Sequence, residues 1–318
     1  MHKKLFIFCT VIFLSLPIFG LGKKEKSFSV KLTAPNGGPA IAISKLVFEK
    51  AKIAEANIEY EIVDGPALLQ ARIISGETDL AVVPSNLAAI LHAKGADITY
   101  LATLVWGNFY CLSNNPSVVD FASLKGKTIY SFGRGMTPDL TVREVLLKNG
   151  IEPDTDVKIE YLTSVADIAG AFLSGKAEIV IIAEPVLSQV LSKKTNAKLV
   201  FDVQKEWKKF FGESYPQAGI IVKNEFLKTQ KKFVDKFLIE VEKTVNWTNK
   251  NPKLASEQAT SIMKLPPAPI VEKAIPGLNL KFVSAKNSRQ ALENYFTILQ
   301  KTDSKFIAGK MPTEDFYY

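Results

Sequence analysis

The stretch Ile74-Ser75-Gly76-Glu77-Thr78-Asp79-Leu80-Ala81-Val82-Val83-Pro84-Ser85 returns in altered form at Leu173-Ser174-Gly175-Lys176-Ala177-Glu178-Ile179-Val180-Ile181-Ile182-Ala183-Glu184-Pro185. Ser75 and Ser174 fix the offset at 99 residues. Each copy reads as a helix end, a Ser-Gly turn, an acidic residue, a buried apolar strand and a break. Other positions agree at the same offset. Pro39 maps onto Pro138, Leu32-Thr33 onto Ser131-Phe132, Ile62 onto Tyr161 and Lys94 onto Lys193. A repeat constrains architecture more than any local signal. This period is too long for a solenoid, so the pattern predicts two α/β lobes of one topology.

Size and composition suit that reading. The 318 residues match about two domains. Hydrophobic residues make up 47% and charged residues 23%, ordinary for a globular chain with two cores. The net charge is +8, but the lysines are scattered and arginines number four. There is no aromatic-interleaved basic patch of the kind nucleic-acid binders carry, so no nucleic-acid partner is expected. A basic protein of this kind favours anionic small solutes or an anionic membrane surface.

Residues 1–22 read as a secretory signal peptide. His2-Lys3-Lys4 is the positive region, Leu5 to Leu16 the apolar core, and Gly20 or Gly22 supplies the small residue for cleavage. Cys9 lies inside this leader without a lipoprotein cleavage site before it, which leaves Cys111 alone in the mature chain. An intrachain disulfide is therefore impossible, although the compartment permits one. Cys111 sits in an apolar run and reads as a buried small residue.

Strands are expected at Phe28–Thr33, Asn57–Val63, Asp79–Val83 and Ile98–Val105, with helices from Pro39 to about Lys52, from Pro66, and after Ser85 as N-cap. The same order repeats from Thr128. Apolar runs at 109–113 and 217–222 predict two crossings between lobes. Lobe one is then 23–111 plus 217–318, lobe two is 112–216, and the C-terminal helices pack on lobe one. Phe226 to Lys250 shows one helical apolar face.

The helix starts are the candidate chemistry. Gly38-Pro39, Gly65-Pro66, Pro84-Ser85, Thr137-Pro138 and Glu184-Pro185 all follow strands. In open parallel sheets ligands bind at such carboxyl ends, and free N–H groups there attract anions. The loop Ser131-Phe132-Gly133-Arg134-Gly135-Met136-Thr137 has the sharpest local composition. It matches neither a dinucleotide fingerprint nor a P-loop. Arg134 either makes a paired hydrogen bond to an anion or is a solvated loop residue. Glu184 either pairs with a ligand amine or serves as an acid at a helix N-terminus. Trp106, Tyr110 and Tyr215 either stack on a flat ligand or pack in a core. Catalysis is poorly supported: the mature chain has one histidine, His92, with no nucleophile beside it and no metal-ligand set.

Ser75-Gly76-Glu77-Thr78-Asp79-Leu80-Ala81-Val82-Val83-Pro84-Ser85-Asn86, Leu124-Lys125-Gly126-Lys127-Thr128-Ile129 and Ala183-Glu184-Pro185 resemble the solute-binding proteins of nitrate/sulfonate/taurine-type ABC importers, a family with a branch that binds the pyrimidine precursor of thiamine. The resemblance implies an α/β, type II periplasmic-binding-protein fold with a two-strand hinge. It implies a small anionic or zwitterionic solute, or a flat heterocycle, held between the lobes, and an ABC permease in the inner membrane as partner. Family ligand contacts fall at loops that correspond here to Asn36, Gly37, Gly38, Ser85, Asn86, Gly135, Met136, Thr137 and Glu184. Trp106, Arg134 and Tyr215 join them from the residue reading. The expected protein is a periplasmic monomer without cofactor or metal. It is not expected to be an enzyme, since the pyrimidine-synthesising relatives on this fold use histidine and iron. A binding module for a sensor is the other open alternative.

Overall fold

The computed structural model describes residues 28–318, so the expected leader at 1–22 lies outside the described residues. The strands are β1 (Phe28–Pro35), β2 (Ala56–Val63), β3 (Leu80–Pro84), β4 (Ile98–Val105), β5 (Phe109–Ser113), β6 (Thr128–Phe132), β7 (Lys158–Leu162), β8 (Ile179–Ala183), β9 (Lys198–Asp202), β10 (Ala218–Lys223) and β11 (Leu280–Ser284). They form two sheets, ordered β11-β4-β10-β3-β1-β2 and β7-β6-β8-β5-β9. The repeat is explicit in these orders. β6, β7, β8 and β9 take the places of β1, β2, β3 and β4, and each sheet receives one antiparallel strand from the other half, β10 or β5.

The Ser-Gly turns that carry the echo stop equivalent helices, Pro66–Ile74 and Val165–Leu173. Gly76 (φ 72°) and Gly175 (φ 79°) take the left-handed conformation that ends a helix. The strands that follow are buried from Leu80 to Val83 and from Ile179 to Ala183. A central strand covered on both faces needs such a continuous apolar run.

The chain passes between sheets twice, at Trp106–Asn108 and at Tyr215–Gln217. The two passages are joined by a reciprocal amide pair. The Asn108 backbone N–H donates to Gln217 Oε1 at 2.9 Å, and Gln217 Nε2 donates to Asn108 Oδ1 at 2.8 Å. Each residue also holds the end of the central strand in one lobe: Ser85 N–H donates to the Gln217 carbonyl, and Glu184 N–H to the Asn108 carbonyl. Ser85 and Glu184 are one repeat apart, so the hinge has near two-fold symmetry.

Several expectations need correction. Phe109–Cys111, assigned from sequence to lobe one, belong to β5 and pair within the second sheet. The expected helix from Pro39 to Lys52 is two short ones, Gly38–Ile41 and Ser44–Phe48. Ala40 through Ser44 are all buried, more than one stripe of a continuous helix can cover. Phe226–Lys250 breaks at Gln230 into Asn224–Thr229 and Lys231–Lys250. The break brings the Phe226 and Phe233 rings to 5.7 Å, whereas seven residues of unbroken helix would separate them by roughly 10 Å. Ser85 is the first helical residue and makes no side-chain cap. The helix expected from Pro185 begins at Val186, after a cis Glu184–Pro185 bond.

The C-terminal helices pack on lobe one as expected, and two of them also reach lobe two. Helix Ala268–Ala274 packs against helix Val186–Lys193, and helix Ala285–Thr302 lies along β4 and β11 with Tyr295 against Trp207. Asn108→Ala leaves Gln217 Nε2 buried without its acceptor, while the backbone bond to Oε1 remains. It is expected to lower unfolding stability by about 1–3 kcal/mol, measured by urea denaturation; an unchanged midpoint would show that the amide pair contributes nothing.

Candidate functional site

The site is built from the strand ends that face each other across the two crossings. On lobe one, β3 delivers Asn86 in the first turn of helix Ser85–Ala93. On lobe two, β6 leads through Gly133–Met136 to helix Thr137–Lys148. Thr137 Oγ1 donates to Asn86 Oδ1 across the cleft at 2.9 Å, and both residues are fully buried. The Asn86 amide nitrogen then has no hydrogen-bond partner among the described residues. A buried amide in that state calls for an explanation.

Glu184 forms a second contact between lobes. It is 8% exposed. Its carboxylate oxygens accept from the Ser188 backbone N–H at 3.0 Å and the Ser188 hydroxyl at 2.8 Å. Across the cleft stands Gly277, where an added Cβ would meet Glu184 Cγ and the Tyr110 hydroxyl, each at 3.1 Å. The Tyr110 hydroxyl donates to the Gly277 carbonyl at 2.8 Å. Burial pushes the Glu184 carboxyl above the ordinary glutamate range, and the Ser188 hydrogen bonds only partly oppose it.

The third contact is aromatic. Tyr215, in the second crossing, stacks on Tyr295 at 6.1 Å and meets Trp207 edge-on at 5.3 Å. Gly107 permits the approach, since a Cβ there would stand 2.7 Å from the Tyr215 ring. The Tyr215 and Tyr295 hydroxyls are buried without a close hydrogen-bond partner among the described residues; the nearby Thr141 and Thr137 hydroxyls only partly offset the burial that raises both far above the usual tyrosine value. Among the described residues, three polar atoms where these contacts form thus lack a close partner: one amide nitrogen and two phenols.

The other expected site residues stand apart from these contacts. Arg134 is exposed, with its guanidinium over the Tyr161 ring, 5.3 Å from the centroid, within lobe two. Its loop is tied to that lobe: Gly135 N–H donates to Asp139 Oδ2 at 2.8 Å, and Asp139 Oδ1 accepts from Arg143 and Tyr161. Met136 is the half-buried N-cap of the following helix. Trp106 donates its indole N–H to the Lys281 carbonyl, inside lobe one. Asn36 donates to the Lys264 carbonyl and accepts from Gly37 N–H. Gly38 packs beneath Asn108, whose amide nitrogen would be 3.0 Å from an added Cβ. Ser85 bonds Tyr100 inside lobe one. His92 contacts Thr313 and packs on Phe316.

Sequence reasoning passed over Asn108, Gln217, Gly277, Trp207 and Tyr295. A usable signal existed for the first two, the polar residues that immediately precede the crossing strands. Gly277 follows Pro276, a pair that signals a turn in sequence and nothing about a contact with the other lobe.

Two lobes of duplicated topology, crossed twice and meeting over buried polar groups, define the type II periplasmic-binding-protein fold. Residues 53–255 match the model of the NMT1/THI5-like family, and the chain belongs to that family. An ABC transporter structure from Parabacteroides distasonis aligns with a TM-score of 0.78 at 23% identity, over 91% of this chain and 98% of that one. The periplasmic aliphatic sulphonate binding protein SsuA of Escherichia coli aligns with a TM-score of 0.71 at 17% identity, over 91% of this chain and 90% of that one. "Putative binding protein YtlA" of Bacillus subtilis (strain 168) is 28% identical over 179 residues, 55% of this chain. The matched stretch spans about half, 52%, of that protein's length. Among the described residues no helix is long and apolar enough to cross a membrane.

The raised Glu184 carboxyl has a signed consequence. In the window between the ordinary value and the raised one, the folded chain keeps a proton that the unfolded chain releases. Stability therefore falls as pH climbs through that window. Glu184→Gln removes this term, so the variant's stability relative to the parent should rise from acid to neutral pH. Urea midpoints at stepped pH values measure this, and a pH-independent difference would contradict it.

Proposed function

We propose that the protein is an extracytoplasmic, periplasmic solute-binding protein. It captures a small solute between its lobes and delivers it, as a monomer, to the permease of an ABC-type importer in the inner membrane. The observation that carries this reading is the set of unsatisfied atoms on Asn86, Tyr215 and Tyr295 where the lobes meet. Buried polar groups normally have partners, and a solute entering an opened cleft supplies them. Small-molecule sites combine apolar walls with a few such convergent polar groups. The family, and the fold shared with E. coli SsuA, agree with a binding role rather than an enzymatic one.

The same groups narrow the solute class. The expectation of an anion leaned on the basic charge, the helix starts and Arg134, and of these Arg134 lies over Tyr161. What the lobes present to each other is an amide, two phenols, the Thr137 hydroxyl and a carboxyl held above its ordinary range. These suit a flat, uncharged heterocycle with both donors and acceptors, and an amino group on it would meet Glu184.

Calorimetry against a panel of aminopyrimidines and alkanesulfonates tests this. An aminopyrimidine is expected to bind, with Asn86→Ala weakening it by about 1–3 kcal/mol and Arg134→Ala leaving it within error. Binding of alkanesulfonates alone, lost in Arg134→Ala, would overturn the solute class. Binding by neither, with turnover of some substrate instead, would overturn the transport reading.

A further inference from the structure

Strand β4 contains an irregularity that joins two separate contacts of the cleft. In a regular strand, residues three apart point to opposite faces. Opposite β10, however, Ile221 pairs with Tyr100 and Ile220 with Ala102, so Leu101 is passed over. This bulge re-aims the strand. Tyr100 and Thr103 then share one face, and their oxygens are 3.1 Å apart. Leu101 and Leu104 share the other, in the second core of lobe one.

A chain of buried hydroxyls results. Ser85 Oγ lies 3.0 Å from the Tyr100 hydroxyl, which lies 3.1 Å from Thr103 Oγ1. Thr103 Oγ1 donates to Ser288 Oγ at 3.2 Å, and Ser288 donates to the Ser284 carbonyl at 3.0 Å. Gly219 makes room for this, since a Cβ there would stand 2.0 Å from the Tyr100 oxygen. Phe316 stacks on the Tyr100 ring at 5.5 Å, and the Tyr318 N–H donates to the Tyr100 carbonyl.

The ends of the chain are the relevant part. Ser85 directly precedes Asn86, which bonds Thr137 of lobe two. Ser288 lies seven residues before Tyr295, two turns along the same face of helix Ala285–Thr302. Tyr295 is the residue that stacks on Tyr215. We propose that Tyr100 is a positioning residue for lobe closure: its hydroxyl fixes the spacing between Asn86 and Tyr295, so that lobe one meets lobe two at both contacts together. Burial pushes the Tyr100 hydroxyl up to about 12, with Ser85 and Thr103 partly opposing, so it remains protonated at neutral pH. This role rests on the reading that the lobes close on a solute.

A cross-link across a different contact reports closure without a known ligand. Glu184→Cys with Gly277→Cys places two thiols where the lobes touch, within disulfide reach. The native Cys111 is fully buried and does not compete. The rate of disulfide formation under mild oxidant is measured with Tyr100 intact and with Tyr100→Phe, well below the unfolding temperature. Loss of one hydroxyl from the relay should slow cross-linking roughly three- to ten-fold, while circular dichroism stays that of the parent. Ser288→Ala, which cuts the far end of the relay, should slow it similarly, and the double variant should add little. Ser288→Ala also serves if Tyr100→Phe fails to fold. Equal rates in all backgrounds would overturn the positioning role. No cross-link in any background would remove the closed arrangement itself, and the role with it.

Discussion

The reciprocal hydrogen bonds between Asn108 and Gln217 are the constraint on which the two-lobed arrangement depends. The two residues are 109 positions apart, yet each satisfies the other while its own carbonyl holds the central strand of a lobe. Two buried amides at a crossing would each be costly alone. Paired, they fix the point about which the lobes sit. The pair also ties the hinge to the cleft, because its carbonyls hold Ser85 and Glu184, the residues at the edges of the proposed site.

The same duplication explains how a symmetric frame gives an asymmetric cleft. Up to the ends of β3 and β8 the halves agree, in apolar strands, glycine-stopped helices and sheet order. Beyond those ends they diverge. Lobe one offers Asn86, and lobe two offers Glu184 with its Ser188 partners. C-terminal residues added to lobe one supply Gly277 and Tyr295, for which the repeat has no counterpart. On the proposed reading, closure presents an amide, a carboxyl and two phenols to one solute, each held by a different part of the chain.

Most of the fold was legible because its causes are local. Alternation, Ser-Gly stops and proline starts mark elements one at a time, and the 99-residue echo orders them. The hinge was legible only as two apolar runs. A run of the kind Phe109–Cys111 shows burial, not which sheet accepts it, and so the boundary was drawn three residues late. Asn108 and Gln217 are marked only as polar residues before those runs, and nothing local shows that they pair with each other across 109 positions. Arg134 illustrates a different limit. Its loop composition suits an anion, but Asp139, Arg143 and Tyr161 hold that loop, and the guanidinium stacks on Tyr161. Tyr100 and Thr103 break alternation through a bulge, which periodicity cannot foresee.

Native mass spectrometry of the protein purified from its own host tests the central claim most directly. The buried, unpartnered atoms between the lobes predict a fraction carrying one small organic molecule per chain, released on denaturation and identifiable by its mass. A chain that carries no such molecule, and gains none when mixed with a metabolite extract of that host, would contradict the assignment of the interlobe cleft as a solute site.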